Sequence, residues 1–334
     1  MRLDCLGNLL SPATGHELEL KPGAEIENDK LKSGELADAS AGAVFPVRNF
    51  IPRFAGDKNY AATFGYQWEA FQRTQIDSVT GLTVCRDRFF GHSSWPEKMA
   101  GETILEVGCG AGRYADVVLG TGAVLYSTDM SSAVDVCLEN NGHHPNHTVI
   151  QADMRALPFP EKMFDRIFCF GVLQHTPDPK AAFVGLLSYL KPGGVLSVDC
   201  YHKDGVIAPW KSKYLWRWLA TRMPVDTLHK VVKWYVPKWM PVDRFIAKIP
   251  YLRRYLRCVV PCFVHDGFGL DEKQAVEWAV LDTFDALSAA HDHPQTVDTV
   301  RSWFEEAGMK NIEVRGGPIV VGNGQMAGGE FDKR

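Results

Sequence analysis

The run ILEVGCGAGRY, Ile104 to Tyr114, constrains this 334-residue chain more than any other stretch. A strand-length apolar segment ends in an acid, three alternating glycines follow, and a helix begins. After it, VLYSTD, TVIQAD, FDRIFCFGVL and GGVLSVDCY repeat the apolar strand length, with helical stretches such as SSAVDVCLENN and DPKAAFVGLLSYL between several of them. Near-continuous apolar strands alternating with helices predict an α/β fold whose parallel sheet is covered on both faces. Ser131 or Ser132 is expected to cap one helix. LKPGG (190–194) reads as a helix end, a turn and a strand start. Near the end, a helix stopped at Gly308 precedes NIEV and IVVG, two strands expected to pair antiparallel at the sheet edge through a Gly-Gly-Pro turn.

In an open parallel sheet, ligands sit at the C-terminal ends of the strands, where the glycine loop falls. Its spacing is G-x-G-x-G, Gly108, Gly110 and Gly112. That is neither the G-x-G-x-x-G of dinucleotide binders nor a P-loop. Glu106 would repel a phosphate and suit an ammonium group. Asp129 ends the second strand, where a carboxylate accepts hydrogen bonds from ribose hydroxyls, and Asp153 ends the third. An acid on each of three strands points to a nucleoside carrying positive charge and no phosphate. S-adenosylmethionine fits, with S-adenosylhomocysteine as its product. A nicotinamide-dependent oxidoreductase is the rival enzyme class, and a cofactor-binding scaffold or regulatory protein is the rival outside catalysis.

In order and spacing these motifs resemble those of the class I S-adenosylmethionine-dependent methyltransferases, from about Tyr60 to about Cys200 and again from about Asp282. The resemblance implies a Rossmann-like sheet, mostly parallel with an antiparallel edge strand, carrying a small N-terminal β unit and a helical insert. It implies that the loop Gly108, Cys109, Gly110 and Gly112 approaches the methionine part of the cofactor. Asp129 would bind the ribose and Asp153 the adenine amino group, with Met130 and Met154 flanking the ring. The backbone of Phe170 and Gly171 would line the cofactor, with Gln174 and His175 at the rim. YAATFGYQWEAFQRTQID (60–77) resembles the family's lid helix, making Tyr60, Gln67 and Trp68 candidate lid and substrate residues. LDTFDALSAAHDHPQT (281–296) resembles an acceptor-side loop, with Asp285, His291 and His293 as substrate candidates beside Asp282 and Asp292. The N-terminus resembles a short zinc ribbon whose ligand positions read Cys5, Asn8, Asp38 and Ala41. At most two of those are donors, so neither zinc nor another metal is expected.

Four segments are expected: a degenerate ribbon-like β unit (1–56), a helical lid (57–100), the core (101–202 and 276–334) and a basic aromatic cap (203–275). For chemistry at oxygen, His175 and His202, after the fourth and fifth strands, are the candidate bases. From Lys203 to Cys258 there are 13 lysines and arginines against three aspartates, a balance of +10 inside a chain of net charge −4. That segment also holds five of the nine tryptophans. It reads as a cap that shapes the pocket for a small-molecule or glycan acceptor, anionic or lipid-linked, or as a peripheral membrane contact. No nucleic-acid recognition motif is present. The eight cysteines are scattered and several lie in apolar runs, which favours buried free thiols over a disulfide framework. With no secretory signal and no apolar span of membrane length, a cytoplasmic protein is expected. The oligomeric state is open.

Overall fold

The computed structural model describes residues 1–56, 59–142, 144–203, 211–249 and 259–328. At its centre is a seven-stranded sheet: β6 (Thr103–Val107), β7 (Val124–Asp129), β8 (His147–Gln151), β9 (Phe164–Cys169), β10 (Leu190–Tyr201), β11 (Lys310–Arg315) and β12 (Ile319–Gln325). Their order is β11-β12-β10-β9-β6-β7-β8. β8, β7, β6, β9 and β10 are parallel, and β12 runs antiparallel to both β10 and β11. β6 has β7 on one side and β9 on the other, so the chain reverses its winding there, and the glycine loop leaves that crevice. This is the Rossmann-like sheet expected of class I. The antiparallel hairpin forms, with β12 inside and β11 at the edge.

Local structure departs from expectation at four places. The helix expected over 60–77 is cut short: it spans Ala62–Ala70, and two short helices follow, Asp77–Thr80 and Val84–Ser93. Phe71 leaves helical geometry and buries its ring against His229. The lid keeps close contact because Gly65 has no side chain; a Cβ there would come within 2.4 Å of Ser132 Oγ. LKPGG is part of β10, whose pairing with β9 shifts register between Leu190 and Val195. Ser132 holds the cap position of the helix Ala133–Asn141, but its hydroxyl turns to Glu69 at 3.3 Å; Ser131 Oγ instead takes the Ala133 N–H. Finally, the helix Glu272–Ser288 crosses the boundary drawn at residue 276.

The small unit, β1 (Glu19–Leu20), β2 (Glu25–Glu27), β3 (Lys30–Asp38), β4 (Ala43–Arg48) and β5 (Ile51–Pro52), forms its own antiparallel sheet. It has no separate core: Leu9, Leu31 and Leu36 belong to the same buried cluster as Leu105, Ile150 and Ile167. The ribbon-like positions have polar partners of other kinds. Asn8 donates to Tyr126 Oη at 2.9 Å, and Asp38 accepts from Thr14 and Ser40. Arg53 grips Asp135 and Gln151 at the far edge of the sheet. Among the described residues, no group of three or more His, Cys, Asp or Glu could hold a metal ion. All seven described cysteines are free, six of them buried; Cys258 lies outside the described residues.

On the cap, the helix Val225–Ala247 turns Leu228, Val232, Val236 and Met240 inward at i, i+4 spacing, onto Ala275, Ala279 and Phe284 of Glu272–Ser288. A further helix, Ser212–Ala220, packs beside them. Among the described residues, no helix is long and apolar enough to cross a membrane.

Inside the parallel sheet lies a polar chain. Ser127 Oγ donates to Glu106 Oε2 at 2.6 Å and meets His147 Nε2 at 2.9 Å. Burial pushes the Glu106 carboxyl up to about 8, so it is mainly uncharged at neutral pH. Burial also lowers His147 from 6.5 to about 3. Between those values the unfolded chain binds a proton at this position that the native state refuses, so stability falls as pH falls through that window. The contribution is on the order of 1.4 kcal/mol per pH unit. Glu106 acts with the opposite sign: protonated in the native state up to about 8 and ionised in the unfolded chain above its ordinary 4.5, it offsets the His147 loss between about 4.5 and 6.5. Denaturant titrations from pH 7 to pH 5 are expected to show His147→Gln gaining on the wild type by about 1.4 kcal/mol per pH unit below about 6.5, the Glu106 contribution being common to both.

Candidate functional site

A cavity of about 770 Å³ opens above the C-terminal ends of β6, β7, β9 and β10. Its floor is the glycine loop. Gly108 and Gly110 have φ of +78° and +52°, backbone conformations that L side chains rarely adopt. A Cβ at Gly108 would lie 2.2 Å from Val172, and one at Gly110 would lie 2.7 Å from the Trp68 indole nitrogen. The turn therefore exists only with glycine at these two positions. Asp129 ties it down: Oδ2 accepts the Gly110 N–H at 3.0 Å, and Oδ1 accepts from the Ser131 N–H and hydroxyl at 2.8 and 2.7 Å. Burial raises the Asp129 carboxyl, and these hydrogen bonds oppose the rise.

Cys109, Met130, Met154, Phe170 and Gly171 join the wall on this side. The Gly171 N–H donates to Asp199 of β10, which also pairs with Arg88 at 3.0 Å and His92 at 3.2 Å. Burial alone would raise Asp199, but Arg88 and His92 outweigh it and hold the carboxyl at about 2.

Three expected cofactor residues lie off the wall. Glu106 points into the sheet toward Ser127 and is mostly neutral, so it offers the cavity no negative charge. Gly112 serves packing, since a Cβ there would strike Asn141 and Cys137. Asp153 turns its carboxylate onto Arg155, with a closest contact of 2.6 Å.

The other half of the cavity is lined by aromatic and titratable side chains. Tyr60, Gln67 and Trp68 face it from the lid, and Asp285 faces it from the cap. Asp285 joins the two walls: Gln67 Nε2 donates to Oδ1 at 3.1 Å and Tyr201 Oη to Oδ2 at 2.9 Å. Gln67 Oε1 and Tyr114 Oη are buried without a partner at the wall, two polar atoms available to a ligand.

His175 lines the cavity between the rings of Phe64 and Tyr201, its Nδ1 2.9 Å from the His291 carbonyl. The carbonyl can only accept, so Nδ1 carries the proton and Nε2 keeps its lone pair. His202 is anchored in the same way by the Gly317 carbonyl at 2.8 Å. His291 and His293 stack on each other off the wall, His291 also meeting Tyr60. Asp292 is taken by Lys213 at 2.8 Å.

Sequence reasoning passed over His265, whose Nε2 lies 2.5 Å from Asp282 Oδ2 on the cavity wall. It also passed over Tyr201 and Asp199. For the last two a signal existed, because both end an apolar strand at the ligand-binding edge. His265 had none: it sits in a loop of the cap, outside any motif.

Residues 105–198 match the family model described as a methyltransferase domain. A protein of Thiobacillus denitrificans named ubiquinone biosynthesis O-methyltransferase is 33% identical over 100 residues, 29% of this chain and 43% of that protein. One of the same name from Coxiella burnetii is 32% identical over 108 residues, 32% and 46% of the two chains. The chain thus spans less than half the length of these curated relatives. Among solved structures, a SAM-dependent methyltransferase from Aquifex aeolicus aligns over 80% of this chain and 99% of its own, at 13% identity and a TM-score of 0.42. Residues 105–198, which carry the glycine loop and the strand-end acids, are thus the part of the chain that is similar to a methyltransferase domain.

Proposed function

We propose that the chain transfers a methyl group from S-adenosylmethionine to a hydroxyl of a small-molecule acceptor. The observation that carries this reading is a single cavity running from the Gly108–Gly110 turn and Asp129 to His175, Tyr201 and Asp285. The residues fit the cofactor. Asp129 is a carboxylate held in place by backbone, the glycine floor admits close approach, and Gln67 Oε1 and Tyr114 Oη are unpartnered. When bound, S-adenosylmethionine supplies the activated methyl group and leaves as S-adenosylhomocysteine. The chain's share is to align the acceptor oxygen, exclude water and take the hydroxyl proton. Aromatic walls, among them Phe64, Tyr201, Phe268 and Trp278, favour a planar, largely apolar acceptor.

His175 is the proposed base, since its ring is fixed by packing and its Nε2 is left basic. His175→Gln is expected to lower turnover about 100-fold or more with S-adenosylmethionine affinity unchanged, read as S-adenosylhomocysteine release with a panel of phenolic acceptors. A second reading is favoured by the Asp282 carboxylate beside His265, which fixes the orientation of its imidazole on the cavity wall. It predicts that the loss follows His265→Asn instead.

The cofactor itself is tested by calorimetric titration with S-adenosylmethionine, S-adenosylhomocysteine and NAD. Binding of the first two supports the proposal. Binding of NAD alone would replace it with an oxidoreductase, and binding of S-adenosylmethionine without turnover on any acceptor would favour a regulatory role.

A further inference from the structure

The cap helix Val225–Ala247 is apolar on two sides, and only one is covered. Leu228, Val232, Val236 and Met240 are buried, while Val231, Trp234, Val242 and Phe245 face solvent at the same helical spacing. Trp234 and Phe245 are each 67% exposed, and Trp218 on the helix Ser212–Ala220 is 64% exposed, beside exposed Leu215 and Leu219. Single exposed apolar residues need no explanation, but aromatic clusters on adjoining helices do. The two helices border one segment: Trp216 donates to the Val259 carbonyl at 2.8 Å and Tyr235 to the Pro261 carbonyl at 2.7 Å.

Charge identifies what would cover this face. Arg222, Lys230, Lys233, Lys238 and Lys248 are exposed on the two helices and their junction, against one exposed acid, Asp226; Asp243 is buried. Lys238 Nζ sits 3.9 Å from the centre of the Trp234 ring, its stem along the apolar surface. The rest of the chain is acidic, so this is the one strongly basic segment of an acidic protein. A second copy meeting this face through the same face would bring cations against cations. Tryptophan and phenylalanine interleaved with lysine match instead an anionic lipid surface, where rings enter the headgroup boundary and ammonium groups stay among the phosphates.

We infer that the outer face of the cap, centred on Trp218, Trp234 and Phe245, docks the protein on anionic bilayers. This holds whether or not the methyl-transfer reading does, because the test needs no turnover. The protein is floated with phosphatidylcholine vesicles containing about 30% phosphatidylglycerol, and with phosphatidylcholine alone, at low and high salt. Wild type is expected to bind the anionic vesicles at least about tenfold better than the neutral ones and to be released by salt. Trp218→Ser/Trp234→Ser/Phe245→Ser is expected to lose that binding about tenfold or more, with melting temperature and S-adenosylmethionine affinity unchanged, since all three rings lie outside the core and the cavity. Wild type that stays with neither vesicle, or a triple variant that binds as wild type does, overturns the inference. So does a sedimentation-velocity dimer that the triple variant dissolves, which would assign the face to self-association.

Discussion

Asp129→Ala is expected to weaken S-adenosylmethionine by about two to three orders of magnitude, the largest effect of any single change at the site. Two losses combine. The first is the acceptor for ribose hydroxyls, at about 1.5–3 kcal/mol for a hydrogen bond to a charged group. The second is the clamp on the turn, because Asp129 takes the Gly110 N–H and both donors of Ser131. Without it, Gly110 must hold its left-handed conformation unaided, under Trp68. S-adenosylhomocysteine shares the ribose and should lose the same factor. Calorimetric titration decides: an affinity within about threefold of wild type would remove Asp129 from the binding machinery and leave it as a structural cap.

Phe89→Ala is expected to be the most damaging change to stability, at about 3–5 kcal/mol. Phe89 is fully buried on the helix Val84–Ser93, with its ring against Phe90, Trp95, Tyr114, Phe168 and Phe170. Four of these five neighbours meet it edge to face, and they cannot collapse into the vacated space without leaving that arrangement. The midpoint of urea denaturation reports the loss. A shift equivalent to less than about 1 kcal/mol would mean that the cluster repacks. Phe170 is also cavity wall, so cofactor affinity should fall with stability in this variant, whereas Asp129→Ala separates the two.

The sheet and its ligand edge were legible because both signals are dense. A buried parallel strand must be apolar along its whole length, and a turn that brings backbone up to a ligand must be built from glycine. Side-chain direction was not legible. Glu106 and Asp129 both sit near strand ends, yet Glu106 is level with Ser127, two residues short of Asp129, and so lies within the sheet while Asp129 reaches the cavity. Asp153 was claimed by an arginine two residues on, and Ser132 by a glutamate 63 residues away, competitions that no local pattern reveals. The break at Phe71 follows from a tertiary contact with His229, which overrides the helical run. His265 and Asp282 meet because the loop before the helix Glu272–Ser288 folds back along it, at a separation no local motif encodes.

Gln67, Asp285 and Tyr201 form one hydrogen-bonded chain from lid to cap to strand end. If, as proposed, the cofactor lies under Gln67 and the acceptor against Tyr201, an occupant that moves its end of the chain bears on the other end. Such linkage is reciprocal: whatever factor the first ligand contributes to the affinity of the second, the second returns to the first. In the proposed function, any coupling between cofactor and acceptor carried by this chain would pass through Asp285, its shared acceptor.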